Sequence, residues 1–381
     1  MSQPTAFVYQ SMADIDADAW LGQFGAGDPF LSRPFLLGLE ASGCTTEHSG
    51  WKPCHVGVGA PSAPAALIPA YIKTHSYGEY VFDWSWADAW QRMGLHYYPK
   101  LVTAVPFTPA TGSRFGRREP GATPLSILAE SVHSLCEALS LSSWHVLFLG
   151  EADSNELTEC GMPQRLTTQF HWFNRNYRDF QDFLDQFSSR KRKNLRRERE
   201  QIARQGLRVR TCKGEAIKHS DWFFFHRCYQ TTYAKRSGHG GYLTEAFFTQ
   251  TCPALGSSPV MVIAEHGDQP VAAALFFEGE DTLYGRYWGC LAEFEYLHFE
   301  ACYYRGIEYC IEHGLSRFDP GAQGEHKIQR GFEPILTFSN HWIADERLRE
   351  AVAQFAEQER RHVRAYQREA ATLLPFRRGD N

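Results

Sequence analysis

The chain has 381 residues, of which 43% are hydrophobic, so it can bury at least one large core, and its length favours two domains. Its 39 lysines and arginines against 44 aspartates and glutamates give a net charge of −5, which excludes the overall basic excess of a dedicated nucleic-acid-binding protein. The ten cysteines form no C-x-x-C pair, which argues against a zinc ribbon or a thioredoxin-like redox motif. Neither an export signal nor an apolar run long enough to span a membrane is recognisable, so we expect a cytoplasmic protein without a transmembrane segment.

Short apolar runs broken by glycine and proline mark the first half of the chain. A helix is predicted at residues 34–39, where Ser32 is suited to cap the N-terminus and Gly43 follows the end. Alternation at residues 80–86 predicts a strand with Phe82, Trp84 and Trp86 on one face. Further strands are predicted at 55–59, 65–73, 100–105 and 145–149, and further helices at 88–95 and 124–141.

The second half continues with strands and helices after a break expected near residue 161, so that residues 1–161 and 162–381 would form two lobes. Strands are predicted at 166–173, 207–212, 260–265, 271–278, 281–289 and 316–319, with a hairpin turn at Gly267 and Asp268. Helices are predicted at 179–187, 188–204, 221–233, 244–252, 298–313 and 345–373. Strands and helices alternate, yet adjacent strands occur in each half. The predicted fold class is therefore α/β with mixed (α+β) sheets in two lobes, and not one doubly wound sheet.

Several strings are distinctive: LYGRYWG from Leu283, FDPGAQGEHKIQRGF from Phe318, and the shorter VPFTPATGSR, RKRKNLRRERE and GYLTEAFF. Together they closely resemble the FemAB-like predicted N-acyltransferases, often described as peptidoglycan biosynthesis or recognition proteins, and the resemblance runs over most of the chain. It implies two tandem acetyltransferase-like (GNAT) lobes and transfer of an acyl group to an amine. Better-known Fem transferases take amino acids from aminoacyl-tRNA, whereas other relatives of the fold use acyl-CoA.

The loop after residue 319 best fits the chemistry of amine acylation, which needs a polarised carbonyl, a deprotonated amine and a site for the phosphate-bearing carrier. We expect Glu325, His326 and Lys327 to be catalytic, since they supply a base and a cation. Lys327 followed by Gly331-Phe332 is similar to the Phe-Lys and Phe-Gly pairs of Fem transferases, although no Phe precedes it, and the similarity implies that Lys327 steadies charge in the transition state. A glycine turn with solvated charges would give the same pattern. Substrate contacts are expected from Gly321, Gln323, Gly324 and Arg330.

The strand at residues 281–289 places Tyr284, Arg286 and Trp288 on one face if it alternates regularly. An arginine between two aromatic residues can bind a carboxylate or phosphate, so we expect Arg286 to be catalytic and its neighbours to contact substrate. The alternative is that Arg286 pairs with a buried acid. His298 and Glu300, at the start of the next helix, are further substrate-binding candidates, although a packed histidine and a helix-capping glutamate explain them as well.

The basic helix at residues 188–204 is the second candidate constellation. Its charges oppose the net charge of the chain, and phosphates of tRNA or CoA are the expected partners, although a fully solvated helix would show the same pattern. The carrier phosphates are expected at Arg190, Lys191, Arg192, Lys193, Arg196 and Arg197.

Weaker candidates lie in the first half. Trp84 and Trp86 would line a substrate wall or belong to the core, and Arg114 could hold an anionic acceptor. The terminal helix is a packing element with many opposite charges. No metal site is predicted, because the Glu-His pairs are adjacent and not four residues apart.

The sequence thus predicts an N-acyltransferase that moves an acyl or aminoacyl group from aminoacyl-tRNA or acyl-CoA to an amine, such as that of a peptidoglycan-related peptide or a small molecule. No tightly bound cofactor is expected. The alternative is a non-catalytic protein that recognises a cell-wall precursor or tRNA. A third option is an acetyl-CoA-dependent small-molecule acetyltransferase, but the Q/R-x-x-G-x-G/A pyrophosphate loop has no convincing copy here. Donor, acceptor amine, general base and oligomeric state stay open.

Overall fold

The computed structural model describes residues 5–119, 121–322 and 324–377. The chain divides into two compact units. Unit 1 runs up to Thr168 and includes Leu336–Tyr366, whereas unit 2 comprises Gln169–Ile335 and the chain from Gln367 onward. A division near residue 161 into two lobes of the same fold stays a prediction, because compact units are defined by contacts and not by structural repetition.

Unit 1 contains strands of two sheets, several helices and residues 346–366 of the terminal helix. Its strands are β1 (Ala6–Tyr9), β2 (Trp51–Pro53), β3 (His55–Ala60), β4 (Ala63–Ile68), β5 (Ala70–Lys73), β6 (Lys100–Thr103), β7 (Gly116–Arg117) and β8 (Ser143–Leu149). Its helices are α1 (Ala17–Phe24), α2 (Arg33–Ala41), α3 (Trp84–Arg92), α4 (Leu125–Ala138) and α5 (Glu151–Glu159), with a 3-10 turn at Met12–Asp14. One sheet has the order β1-β3-β4-β7, and in the other β8 lies beside β6, followed by β5 and β2. The pair β6–β8 is parallel.

Unit 2 is built on a mixed sheet. After β9 (Gln164–Phe173), which enters it from unit 1, come α6 (Phe180–Asp185), α7 (Ser189–Arg204), β10 (Leu207–Lys213), α8 (His219–Ser237), α9 (Cys252–Ala254), β11 (Pro259–His266), β12 (Gln269–Glu278) and β13 (Thr282–Cys290). Then follow α10 (Leu297–Phe299), α11 (Arg305–Glu312), β14 (Arg317–Asp319), β15 (Glu333–Ile343), which returns to unit 1, and α12 (Glu346–Ala371). The sheet order is β10-β11-β12-β13-β14-β9. Only β13 and β14 among these neighbours are parallel in the part that the structure describes.

Each unit has its own apolar core. In unit 1, residues of α4 such as Leu128 and Val132 pack on Trp144 and Val146 of β8. In unit 2, Trp172, Phe276 and Phe318 of the sheet pack with Ile307 of α11. The predicted α/β fold with mixed sheets is confirmed, and a parallel strand pair recurs in each unit.

Two predictions that depend on short-range hydrogen bonds, a helix cap and a hairpin turn, are confirmed. The Ser32 side chain accepts a hydrogen bond from the Phe35 amide, as expected of an N-cap. The hairpin at Gly267 is also confirmed, since β11 and β12 pair up to His266 and Gln269 and Gly267 has φ +60°.

The predicted strand at residues 80–86 is wrong, because helix α3 begins at Trp84. Trp86 and Trp90 are four residues apart and share the buried face of that helix, whereas Trp84 is exposed. Phe82, Trp84 and Trp86 therefore do not form one row. The sequence reading also missed β1, α1, β2, β7, α5 and β15.

Candidate functional site

The candidate site lies in unit 2, where β13 and β14 separate. The two strands pair only over Thr282–Tyr284 and Arg317–Asp319, after which β14 ends and β13 continues to Cys290. Within the described residues, no strand pairs with the rest of β13 on this side. Its backbone groups can therefore hydrogen-bond to a bound substrate, because strand amides and carbonyls need partners.

A β-bulge at Arg286 shapes this part of β13. Leu275 lies opposite Tyr287 and Phe276 lies opposite Gly285, so Arg286 is the extra residue. The bulge interrupts the alternation from which we predicted a single face for Tyr284, Arg286 and Trp288, and that prediction is wrong. The Arg286 guanidinium nevertheless lies 5.2 Å from the centre of the Tyr284 ring.

Arg286 forms a buried ion pair with Asp319. Its Nη2 donates to Oδ2 at 2.7 Å and its Nη1 to Oδ1 at 3.2 Å, and the two side chains are only 2% and 1% exposed. Burial raises the pKa of Asp319, but the charge of Arg286, followed by that of His171, outweighs this and lowers the pKa well below its usual range. Arg286 therefore pairs with a buried acid, the alternative that the sequence left open. Its guanidinium contacts the candidate site through Asp319.

Asp319 also fixes the turn that carries the lysine. Its Oδ1 accepts a hydrogen bond from the Gly321 amide at 2.9 Å, and Gly321 has φ +90°, a conformation that favours glycine. The Gly321 carbonyl in turn accepts a hydrogen bond from Lys327 Nζ at 2.6 Å. One carboxylate thereby holds the arginine of β13 and, through the turn, the lysine of the loop.

Lys327 is buried and close to half protonation near neutral pH. Burial lowers its pKa to about 7, Asp319 opposes this shift, and Arg286 adds to it. A lysine with such a pKa can offer positive charge to a developing oxyanion or, when neutral, take up a proton. Of the three side chains that we predicted to be catalytic in the loop, Lys327 is the buried one, whereas Glu325 and His326 are exposed.

Two histidines and a tyrosine lie beside the loop. The Tyr303 hydroxyl and His326 Nε2 are 2.8 Å apart, and the His298 ring lies 5.2 Å from the Tyr303 ring. Burial and then the positive charge of Arg330 lower the pKa of His326, and burial lowers the pKa of His298 to about 3. His298 is therefore neutral at physiological pH. The Trp288 ring lies 5.5 Å from it, so these predicted substrate-binding residues come together.

The predicted loop has three further members. Gly324 has φ +113°, and Glu325 is exposed. Gln323 lies outside the described residues.

Glu300 and Arg330 are engaged in ion pairs, which does not favour the substrate contacts that we predicted for them. Glu300 is buried and accepts from Arg199 Nη2 and Nε, both at 2.9 Å. Arg330 donates to Glu198 at 2.9 and 3.1 Å, and its guanidinium lies 3.4 Å from the centre of the Phe299 ring. Both pairs link α7 to the segments around the site.

The basic residues of α7 fall into two groups. Lys191 donates to Gln329, and Arg192 forms an ion pair with Asp185 at 3.0 Å. Arg197 is exposed and has Tyr296 as a hydrogen-bond partner. The second group consists of exposed charges at positions that lie three residues apart on the helix. The described residues provide no hydrogen bond or ion pair for these side chains. We call this set the basic stripe, and it consists of Arg190, Lys193 and Arg196.

Arg114 in unit 1 does not occupy a position that suits an anionic acceptor. Its side chain is buried and donates to the backbone carbonyls of Leu147, Ser113 and Ala110 at 2.7, 2.8 and 2.6 Å. The same loop donates from the Gly112 amide to the Phe148 carbonyl at 3.1 Å. This loop therefore covers the part of β8 that extends beyond its parallel partner β6.

Trp84 and Trp86, the remaining candidates in unit 1, differ from each other. Trp86 is a core residue whose ring lies 4.8 Å from the Arg165 guanidinium, and Trp84 is on the surface.

Sequence reasoning missed two residues that complete the site. Asp319 was noted only as the end of a strand, although an aspartate two residues before a glycine is a typical turn signal. His171 on β9 was not noticed, and its Nε2 lies 3.6 Å from Asp319 Oδ1. Burial lowers the pKa of His171 to about 4. No local signal relates His171 to Asp319, because the two neighbouring strands that carry them, β9 and β14, lie far apart in the sequence.

Two further properties concern the part of the chain that the structure describes. No three histidine, cysteine, aspartate or glutamate side chains there are placed to hold a metal ion. None of the helices there combines the length and apolar character needed to cross a membrane.

Comparison with solved structures identifies relatives of the fold. FemX matches with a TM-score of 0.53 and 10% identity, over 91% of this chain and 99% of its own. L-PGS from Bacillus licheniformis matches with a TM-score of 0.50 and 12% identity, over 93% of this chain and 99% of its own. A conserved protein of unknown function from Bacteroides thetaiotaomicron has a TM-score of 0.53 and 9% identity, over 88% of this chain and 99% of its own. At these identities the likeness shows a shared fold.

Among curated proteins, none matches this sequence. A family model does match, over residues 11–378, and it is the FemAB-like model described as peptidoglycan biosynthesis/recognition. That match spans nearly the whole chain and agrees with the resemblance seen in its sequence strings. This chain belongs to the FemAB-like family.

Proposed function

We propose that this protein is an N-acyltransferase that moves an acyl or aminoacyl group from a phosphate-bearing carrier to an amine, and that the reaction takes place in unit 2. The observation that carries the proposal is the buried Lys327, held on the Gly321 turn next to the point where β13 and β14 part. FemAB-like membership and the fold shared with FemX and L-PGS support it.

In the proposed reaction, the acceptor amine attacks the acyl carbonyl carbon and forms a tetrahedral oxyanion. The carrier oxygen or sulfur then leaves, and the proton lost by the amine balances the charge on the leaving group. Protonated Lys327 would stabilise the oxyanion, because a buried cation acts more strongly than one in water. His326 is exposed and its lowered pKa favours the neutral imidazole, so it is the proposed proton acceptor.

The proposed donor is an aminoacyl-tRNA or an acyl-CoA, and no tightly bound cofactor is required. The basic stripe of α7 supports a polyphosphate carrier, since its three charges have no partners among the described residues. The ten cysteines, none of them in a disulfide, fit a reducing compartment, and we propose the cytoplasm, where both carriers are available.

The proposed acceptor is the amine of a peptidoglycan-related peptide, in keeping with the description of the family. Other amines, including small molecules, belong to the same reaction class, so the acceptor is to be determined by experiment.

The test is a transfer assay in which the purified chain is offered charged tRNAs or acyl-CoAs together with candidate amines. Mass spectrometry should detect an amide product with the natural chain and, over the same reaction time, far less with Lys327→Gln. Lys235→Gln is the matched control, because Lys235 is an exposed lysine of unit 2 that pairs with Glu293 at 2.9 Å and lies outside the loop. Binding of a donor or a cell-wall precursor without any amide product would favour the non-catalytic alternative.

A further inference from the structure

Residues 74–85 of unit 1 place charged side chains inside and aromatic side chains outside. Glu79 and Asp83 are buried, whereas Tyr77, Phe82 and Trp84 are 55%, 60% and 40% exposed. This is the reverse of the usual distribution, because buried carboxylates need partners and exposed aromatic rings give up the benefit of burial. Such an arrangement indicates a surface kept for binding.

The two acids are used to anchor the segment. Lys100 on β6 is fully buried, and its Nζ donates to Glu79 Oε2 and Ser76 Oγ, both at 2.9 Å, and to Asp83. The Tyr97 hydroxyl donates to Asp83 Oδ2 at 2.5 Å. Both carboxylates are buried and paired with Lys100, so they do not lie on the outer face of the segment.

The backbone behind the aromatic residues is also fixed. The Tyr77 carbonyl accepts hydrogen bonds from Trp51 Nε1 at 3.1 Å and Lys73 Nζ at 3.2 Å. The Phe82 carbonyl accepts from Arg165 Nη1 at 3.0 Å. The rings of Tyr77 and Trp84 lie 5.1 Å apart at 58° to each other. The rings are therefore held on a preorganised frame, which reduces the entropy lost when a small rigid ligand binds.

We propose that Tyr77, Phe82 and Trp84 form an aromatic platform that binds the pyranose ring of a neutral saccharide. The other exposed side chains of residues 74–85 are the hydroxyl-bearing Thr74 and Ser85, and the exposed Asp88 follows Trp84 by one turn of α3. The surface therefore offers ring faces, hydroxyls and one carboxylate, which can accept hydrogen bonds from sugar hydroxyls. A sugar ring has the complementary composition, with C–H faces and hydroxyl edges. Tyrosine and tryptophan suit such a ligand, because they combine apolar area with a polar group.

Charge and rigidity favour a saccharide over other occupants. The exposed side chains of residues 74–85 carry no positive charge, and the neighbouring Asp88 is acidic, so the surface gives no attraction to the phosphates of tRNA, CoA or an anionic bilayer. A neutral bilayer would accept aromatic side chains without any need for the hydrogen bonds that fix the Tyr77 and Phe82 carbonyls. The inference rests on the proposed function only in its choice of sugar, an N-acetylated amino sugar of the kind found in peptidoglycan.

The experiment is a titration of the full chain with the neutral trimer of N-acetylglucosamine, followed by calorimetry and tryptophan fluorescence in the absence of any donor. Saturable binding is expected, with at least a tenfold loss of affinity in Trp84→Ala and in Tyr77→Ala. Phe82→Ala is the third variant, since the most exposed ring is the least able to affect folding. Phe223→Ala, an exposed aromatic residue of α8, is the matched control and should bind as the natural chain does.

Three results would overturn the inference: no binding of the trimer, equal losses in the platform variants and Phe223→Ala, or binding of the chain to phosphatidylcholine vesicles that depends on the same rings while the trimer does not bind. The outcome is separable from the proposed function. If the natural chain binds the trimer but forms no amide, only the proposed reaction is contradicted. If it forms the amide but does not bind the trimer, only the platform is contradicted.

Discussion

Replacing Asp319 with alanine should destabilise unit 2 strongly, because it leaves the Arg286 guanidinium buried without its counter-ion. The substitution removes two charge-assisted hydrogen bonds at 2.7 and 3.2 Å and the acceptor for the Gly321 amide at 2.9 Å. Breaking a buried ion pair in this way costs about 3–5 kcal/mol. At about 2–4 °C per kcal/mol for a unit of this size, the melting temperature should fall by roughly 6–20 °C.

The assay is thermal unfolding of the natural chain, the single variants Asp319→Ala and Arg286→Met, and the double variant Arg286→Met with Asp319→Leu. The double variant should unfold at a higher temperature than either single variant, since an apolar pair leaves no buried charge unpaired. A loss of less than about 1 kcal/mol in Asp319→Ala, the size typical of a surface ion pair, would refute the reasoning. So would additive losses in the double variant.

Three more predictions follow from single features of unit 2. Lys327→Met should be more stable than the natural chain, most clearly below pH 7 and progressively less above it. The reason is that the folded-state pKa of about 7 lies below the usual pKa of lysine, so the natural chain gains stability as pH rises between the two values. Chemical denaturation at several pH values measures this difference in stability, and a difference that does not depend on pH would contradict the prediction. Gly289→Ala should lower the melting temperature, since the added Cβ would lie 2.1 Å from the Cys228 carbonyl oxygen, and an unchanged melting temperature would refute the close packing of α8 on β13. Glutamine at all three positions of the basic stripe should weaken donor binding and flatten its dependence on salt, whereas Arg192→Gln should do neither; filter binding across a salt series decides between these outcomes. The stripe consists of Arg190, Lys193 and Arg196.

Features set by neighbouring residues could be predicted from the sequence, and those set by distant partners could not. The Ser32 cap and the Gly267 hairpin depend on hydrogen bonds within a few residues. The start of α3 was missed because seven alternating residues fit a strand as well as the approach to a helix. The inward position of Asp83, just before α3, depends on Lys100 of strand β6.

The candidate site shows the same division. The glycines and Lys327 were recognisable from their local pattern, but the buried state of Lys327 depends on the Asp319 turn. Which arginines of α7 remain available could not be predicted either. Arg199 pairs with Glu300 and Lys191 with Gln329, and both partners lie far along the chain. Periodicity identified the helix but not these partners.

The most direct test of the central claim is a single-turnover measurement of amide formation by the natural chain and by Lys327→Gln with the donor and acceptor that the transfer assay identifies. If Lys327 stabilises the transition state, the variant should bind the donor with nearly unchanged affinity and form the amide about 100–1,000 times more slowly. An equal rate in the two proteins, with the natural chain fully active, would contradict the assignment of the reaction to this site.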